Sequence, residues 1–322
     1  MIKGENPTFS YYIEQRLRHL TVPAIVRSLD DRLDDLSPEG LFVILVRYAK
    51  PTQIRWLKEV RARLAGVALL IDDDLRSVVV GPDGSLRYKA NLLRLGVLPL
   101  VQLNALLSHV WTSTGALAEV LGGQRAEVQV LHPLPPALRP KDLIPSGRFP
   151  TLRIVYHATG IHRQEHAFLQ PIIRRVLNAD PALHFEVLAD GSIANGWHNA
   201  GLPIGRYTVR KTMRWLEYAT WGHNSGADIA LNPLLNTKTN KVRADTKRVD
   251  VARLGAAGLY SRCDVFNRCA VPYESHLPND PDAWVSEILR LAANEVELRR
   301  AKQASFKSLE KMIQLADVNF PF

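Results

Sequence analysis

The sequence predicts an α/β protein made of two doubly wound halves with a helical C-terminus. Three observations predict it: strand-like apolar runs alternate with helical patterns, the alternation occurs twice, and a proline-rich stretch separates the two series. Strands that alternate with helices imply a parallel sheet covered on both faces. With 322 residues, the chain is long enough for about two domains that each bury a core.

In the first series the strand-like runs are PAIVRSL at 23–29, LFVILVR at 41–47, GVALLID at 66–72, HVWTST at 109–114 and VQVLH at 128–132. PTQIRWLKEVRARLA, 51–65, has helical spacing, with Ile54, Leu57, Val60, Ala62 and Leu64 mostly facing inward. The most apolar stretch, 92–111, is interrupted by Arg94, Pro99, Gln102 and Asn104. It reads as a buried helix opening near Pro99, because a membrane span needs roughly 18 uninterrupted apolar residues.

Residues 133–150 hold six of the twenty prolines and mark the expected domain boundary. Beyond it come RIVYH at 153–157, a helix near 165–178, HFEVLA at 184–189, a helix near 211–220, DIALNPL at 228–234, a charged helix and AGLYS at 257–261. Residues 281–315 read as largely helical. The expected domains are 1–145, 146–280 and a helical 281–322. Ligands in doubly wound sheets bind outside the carboxyl ends of the strands, so the two halves are expected to face a cleft.

The composition is 46% apolar and 23% charged, that of a soluble globular protein. A net charge of +9 makes polyanions, phosphorylated ligands and anionic lipid surfaces compatible partners. Most of the excess is local, since residues 206–253 carry ten Lys and Arg against four Asp and Glu. Cys263 and Cys269 have no partners at zinc-like spacing and read as reduced core thiols. The segment MIKGENPTFSYY lacks an apolar signal core, so the expected location is cytoplasmic.

The stretch NKVRADTKRVDVARLG, 240–255, concentrates five cations and two aspartates. Asp245 suits the N-cap of a helix that Gly255 stops. Lys247 in the first turn and Arg243 just before it would add charge to a helix N-terminus, which already favours anions. Asp250, three residues after Lys247, can accept hydrogen bonds from a ribose diol. The same spacing also suits a solvated Lys247–Asp250 ion pair. Asp72, Asp73 and Asp74 end an apolar strand, where burial would raise a carboxylate toward a general base; a turn with a helix cap fits equally. Thr159, Gly160 and His162 lie at the first strand-to-helix turn of the second half, placed to face phosphate, although a plain tight turn fits too. Trp197, Trp215, Tyr218 and Trp221 suit core packing or stacking on a base or sugar.

The run ADIALNPLLNTKTNKVRADTKRVDVARLGAAGLYS, 227–261, resembles the donor-domain motif of GT-B glycosyltransferases related to the glycosyl transferases group 1 family, in a polysaccharide-biosynthesis branch. There a strand ending D-I-x-L-x-P-L leads to N-x-x-K-S-x-x-K-x-x-E-Y. Asp228, Pro233, Asn240 and Lys247 match, Arg243 stands for the first lysine and Asp250 for the glutamate. Residues 154–191 resemble the first strand, glycine-bearing loop and helix of that domain, and 66–75 resemble an acceptor-domain strand ending in paired aspartates. Many retaining relatives carry Glu-x7-Glu, but Val242 occupies the first of those positions.

The resemblance implies a GT-B fold of two Rossmann-like domains, acceptor-binding at 1–145 and donor-binding at 146–280, with 281–322 crossing back to the first domain. It implies transfer of a sugar from a nucleotide diphosphate sugar to a glycan or lipid-linked hydroxyl. Thr159, Gly160, His162, Asn240, Arg243, Lys247 and Asp250 would serve the donor, and Asp72 and Asp73 the chemistry. No cofactor or metal is expected; peripheral contact with an anionic membrane is compatible, and nucleic acid is not expected. The alternatives are a catalytically silent binding module of the same fold and, on charge alone, a nucleic-acid-binding protein.

Overall fold

A computed structural model describes residues 1, 4–122, 126–138, 151–158, 162–223 and 225–321. The chain divides into two compact units, one of residues 1–136, 241–244 and 313–322, the other of 137–240 and 245–312.

The first unit opens with two short helices, α1 (Pro7–Tyr12) and α2 (Glu14–Arg18). It continues through β1 (Phe42–Val46), α3 (Pro51–Val60), β2 (Gly66–Ile71), α4 (Leu75–Val80), α5 (Leu86–Leu92), a π turn (Leu93–Val97), α6 (Leu98–Leu103), β3 (His109–Thr112), α7 (Gly115–Val120) and β4 (Glu127–Val130). The four strands are parallel and lie in chain order. Every residue of β2 is buried, as expected of a central strand covered on both faces. Leu45, Leu57, Val67, Leu69 and Leu117 form the core with the excursion residue Val242. Arg16 donates to the carbonyls of Tyr12, His132 and Asp317 (2.6, 2.9 and 2.7 Å), which ties the C-terminal residues into this unit.

The run 23–29 is not a strand; only Ser28 forms an isolated bridge. Pro23 removes a ladder donor, and Ile25 and Val26 remain exposed. The other four predicted runs form β1 to β4; β1, β2 and β3 are shorter than predicted, and β4 begins one residue earlier, at Glu127, and ends sooner, at Val130.

The second unit contains β5 (Leu152–His157), α8 (Arg163–Ala179), β6 (Leu183–Leu188), α9 (Gly191–His198), β7 (Tyr207–Arg210), α10 (Trp215–Gly222), β8 (Ile229–Asn232), α11 (Lys238–Lys241), α12 (Lys247–Leu254), β9 (Ala257–Ser261), β10 (Ser275–Leu277), α13 (Pro281–Ala293) and α14 (Glu295–Leu315). Its six parallel strands run β10-β9-β8-β5-β6-β7. The chain moves outward from β5 in one direction and from β8 in the other, so the β5–β8 pair is a topological switch point. Helix α8 packs Leu169, Ile172, Ile173 and Val176 into the core, each fully buried, and each such side chain contributes roughly 1.5–3 kcal/mol. The sequence reading missed α9, β7 and β10. Both strands lie at sheet edges with half-buried residues, so neither shows the apolar run of a central strand. Among the described residues no helix is long and apolar enough to cross a membrane.

Candidate functional site

In the first unit β2 delivers Asp72 and Asp73 to its carboxyl end, facing Arg47. The Arg47 guanidinium lies 3.1 Å from Asp72 Oδ1 and 3.2 Å from Asp73 Oδ2. Thr8 Oγ1 donates to Asp72 Oδ2 at 2.6 Å. Arg243, from the 241–244 excursion, adds a second guanidinium 3.6 Å from Asp73. Asp74 is separate in role: its side chain caps α4, accepting from the Ser77 N–H at 3.0 Å.

Arg47 has φ of 62°, a left-handed conformation uncommon for a non-glycine residue and often held at functional positions. Burial raises the Asp72 carboxyl above its ordinary value, against the opposing pull of Arg47, and Asp73 adds to the rise. For Arg47 burial works against the charge, but the two carboxylates outweigh it and hold its pKa up. A carboxylate that gains a proton more readily than usual, fixed by a cation and a hydroxyl, is chemically suited to accept one.

In the second unit the switch point gathers another set of groups. Lys247 opens α12, and its Nζ donates to the carbonyl of His157, the last residue of β5, at 2.7 Å. It also lies 3.6 Å from Asp250. Asp250 accepts from Arg253 at 3.0 Å. An ammonium has three hydrogens, so these contacts leave one to offer to a ligand. Asp245 is not the cap: Thr246 holds that position without a side-chain bond, and Asp245 is buried against Arg268 at 2.7 Å. Gly255 ends the helix with φ of 67°, the left-handed stop.

Glu165 organises the loop after β8. It accepts from the Asn240 side chain at 2.6 Å and from the Leu235 N–H at 3.2 Å, and its other oxygen lies 3.7 Å from His162 Nδ1. Burial opposes its charge, but His162 and the backbone donor outweigh burial and bring its pKa down to about 2. Asn240 and His162 are thus held by a buried carboxylate, and Asn240 also donates to the Leu235 carbonyl at 2.9 Å. His166, one turn along α8, accepts from Trp197 Nε1 at 2.9 Å, and burial lowers its pKa to about 3.

The structure therefore brings together Asp72, Asp73 and Arg243 in one unit, and His162 with Asn240 and Lys247 with Asp250 in the other. Arg243 and Lys247 fall in different units. Thr159 and Gly160 lie outside the described residues. Sequence reasoning missed Arg47 and Glu165. Glu165 had a signal, being a charged residue one turn before Leu169 on the apolar stripe of α8; Arg47 had none beyond ending a strand. Trp197 is core at 0% exposure, while Trp221 lies over Arg210 (5.3 Å) and beside His157 (5.2 Å). Cys269 is buried, which pushes its thiol up to about 12. Among the described residues no three His, Cys, Asp or Glu side chains converge as a metal site would require.

Two parallel sheets covered by helices are a fold shared with solved glycosyltransferases. S. aureus TarM superposes with a TM-score of 0.57 at 9% identity, over 86% of this chain and 52% of that one. The fold is GT-B. Pneumococcal GtfA gives 0.55 at 11% identity, over 84% and 53%, and the sucrose-phosphate synthase of Thermosynechococcus elongatus gives 0.54 at 12%, over 84% and 69%. This GT-B chain spans about half the length of TarM and GtfA. No protein-family model matches it, and no curated protein matches it.

Proposed function

We propose that the protein is a glycosyltransferase that uses a nucleotide diphosphate sugar. The observation that carries this reading is the Lys247–Asp250 pair at the start of α12, beside the end of β5 at the switch point. A cation at a helix N-terminus suits a diphosphate, and a carboxylate on the next turn would repel phosphate but accept from a ribose diol. TarM and GtfA have been solved with UDP, GtfA together with GlcNAc, which supports a nucleoside diphosphate sugar as donor and makes UDP the first nucleotide to test.

In the reaction an acceptor hydroxyl oxygen bonds to the anomeric carbon. The bond from that carbon to the diphosphate oxygen breaks, and its electron pair leaves with the nucleotide. Lys247 stabilises the charge on the departing diphosphate, with Arg243 as the second cation of this reading. Asp72 takes the hydroxyl proton, and Asp73, held by Arg47 and Arg243, orients the acceptor. His162 and Asn240 shape the donor side through Glu165. The acceptor of this reading is a glycan or lipid-linked hydroxyl in polysaccharide or glycoconjugate biosynthesis, in the cytoplasm with peripheral contact to an anionic membrane.

A silent binding module of the same fold is favoured by one observation. Val242, at the position where many retaining relatives carry glutamate, is buried in the core of the first unit. Release of nucleoside diphosphate from a nucleotide sugar decides between the two. Turnover supports the transferase; saturable nucleotide binding without turnover, across UDP-, GDP- and ADP-sugars, overturns it in favour of the module.

A further inference from the structure

Residues 86–103 form one continuous helical run through α5, the π turn and α6. Its inner face buries Leu92, Leu95, Gly96, Pro99, Leu100 and Leu103. Its outer face exposes Leu86 (86%), Leu93 (40%), Leu98 (58%) and Val101 (77%). Exposed apolar side chains grouped on one side of a helix mark an interaction surface.

The run is firmly held along its inner face. Pro99 has no N–H to offer the Leu95 carbonyl, which accepts from the Ala49 N–H at 3.0 Å instead. The wider π turn before Pro99 takes up an extra residue, so Leu98 and Val101 stay on the same outer side as Leu86 and Leu93. A Cβ at Gly96 would meet Leu75 Cδ1 at 2.7 Å, so the helix approaches α4 closely at that point.

The charge on the outer face has one sign. Arg87 and Arg94 are exposed there, and residues 84–103 contain no Asp or Glu. We infer that this face docks on an anionic lipid surface, its leucines and valine entering the headgroup–acyl boundary and its arginines meeting lipid phosphates. A second copy related by two-fold symmetry would cover the leucines but oppose like charges. A nucleic acid would use the arginines and leave the leucines in water. The inference rests on the reading above only for the contact with a membrane; it needs no nucleotide.

Co-sedimentation of the full chain with phosphatidylglycerol–phosphatidylcholine vesicles, against phosphatidylcholine alone, tests it. The protein should sediment with the anionic vesicles, and less as salt rises. Leu98→Gln with Val101→Gln should weaken binding roughly tenfold or more, and Arg87→Gln with Arg94→Gln should flatten the salt dependence. Unchanged melting of each variant would show that the fold is intact. The proposal is overturned if the wild type does not sediment, if the variants sediment equally, or if the Leu98/Val101 variant instead loses a dimer seen by sedimentation velocity. Nucleotide calorimetry without vesicles reports separately on sugar transfer.

Discussion

The first sheet keeps its strands in chain order, β1-β2-β3-β4, whereas the second reverses direction between β5 and β8. Among the described residues only the second therefore has a switch-point crevice, and the Lys247–Asp250 pair stands beside it. The carboxylates of the two units follow the same division. Asp72 has one arginine and one hydroxyl against its burial, and burial wins. Glu165 has two N–H donors and a histidine, and the partners win. One carboxylate is thus ready to take a proton and the other locked as an anchor, and the partners that each one meets decide which.

The largest effect expected from breaking this contrast is on Arg47. Arg47→Ala would leave Asp72 and Asp73 buried without their shared cation, and should cost about 3–5 kcal/mol in denaturant unfolding. A loss under about 1 kcal/mol would show that Arg47 does not hold the aspartates. Next comes Asp72→Asn, which keeps the shape and removes the proton acceptor. Turnover should fall by roughly 10²-fold or more, with nucleotide affinity unchanged; an equal fall in nucleotide affinity would place Asp72 at the donor instead.

Smaller, and of opposite sign in the two units, is the dependence of stability on pH. His166 and Glu165 have folded pKa values lowered to about 3 and about 2. Their contributions are present above the unfolded values and are lost as pH falls through about 6.5 to 2. Asp72 is raised, so its contribution is present at low pH and lost as pH rises through its folded value. Melting temperatures measured across pH should show His166→Gln flattening the acid limb, while Asp72→Asn leaves the protein at least as stable at neutral pH. Identical pH profiles for the two variants would erase the contrast.

Much of this architecture was legible in the sequence because central strands of a parallel sheet are continuous apolar runs: GVALLI, LHFEVL and AGLYS stand almost unaltered as β2, β6 and β9. The half-buried edge strands β7 and β10 gave no such run, and 23–29 gave one without forming a strand. Spacing placed Lys247 and Asp250 on one turn and Asp72 with Asp73 at a strand end. It could not show that Asp245 turns toward Arg268, that Arg47 adopts a left-handed backbone between two aspartates, or that Glu165 holds Asn240. Those are contacts between residues 23 to 75 positions apart, and no local periodicity encodes them.

The central claim is that Lys247 and Asp250 recognise different parts of one nucleotide, and titration calorimetry with UDP, uridine and 2′,3′-dideoxy-UDP tests it most directly. Lys247→Ala should weaken UDP far more than uridine, and the wild-type preference for UDP should shrink as salt rises. Asp250→Ala should weaken UDP by roughly 1.5–3 kcal/mol, as for charge-assisted hydrogen bonds, and leave the dideoxy analogue nearly unaffected. If both substitutions leave UDP affinity unchanged while lowering the melting temperature together, the pair is only an ion pair on α12 and the donor site is not there.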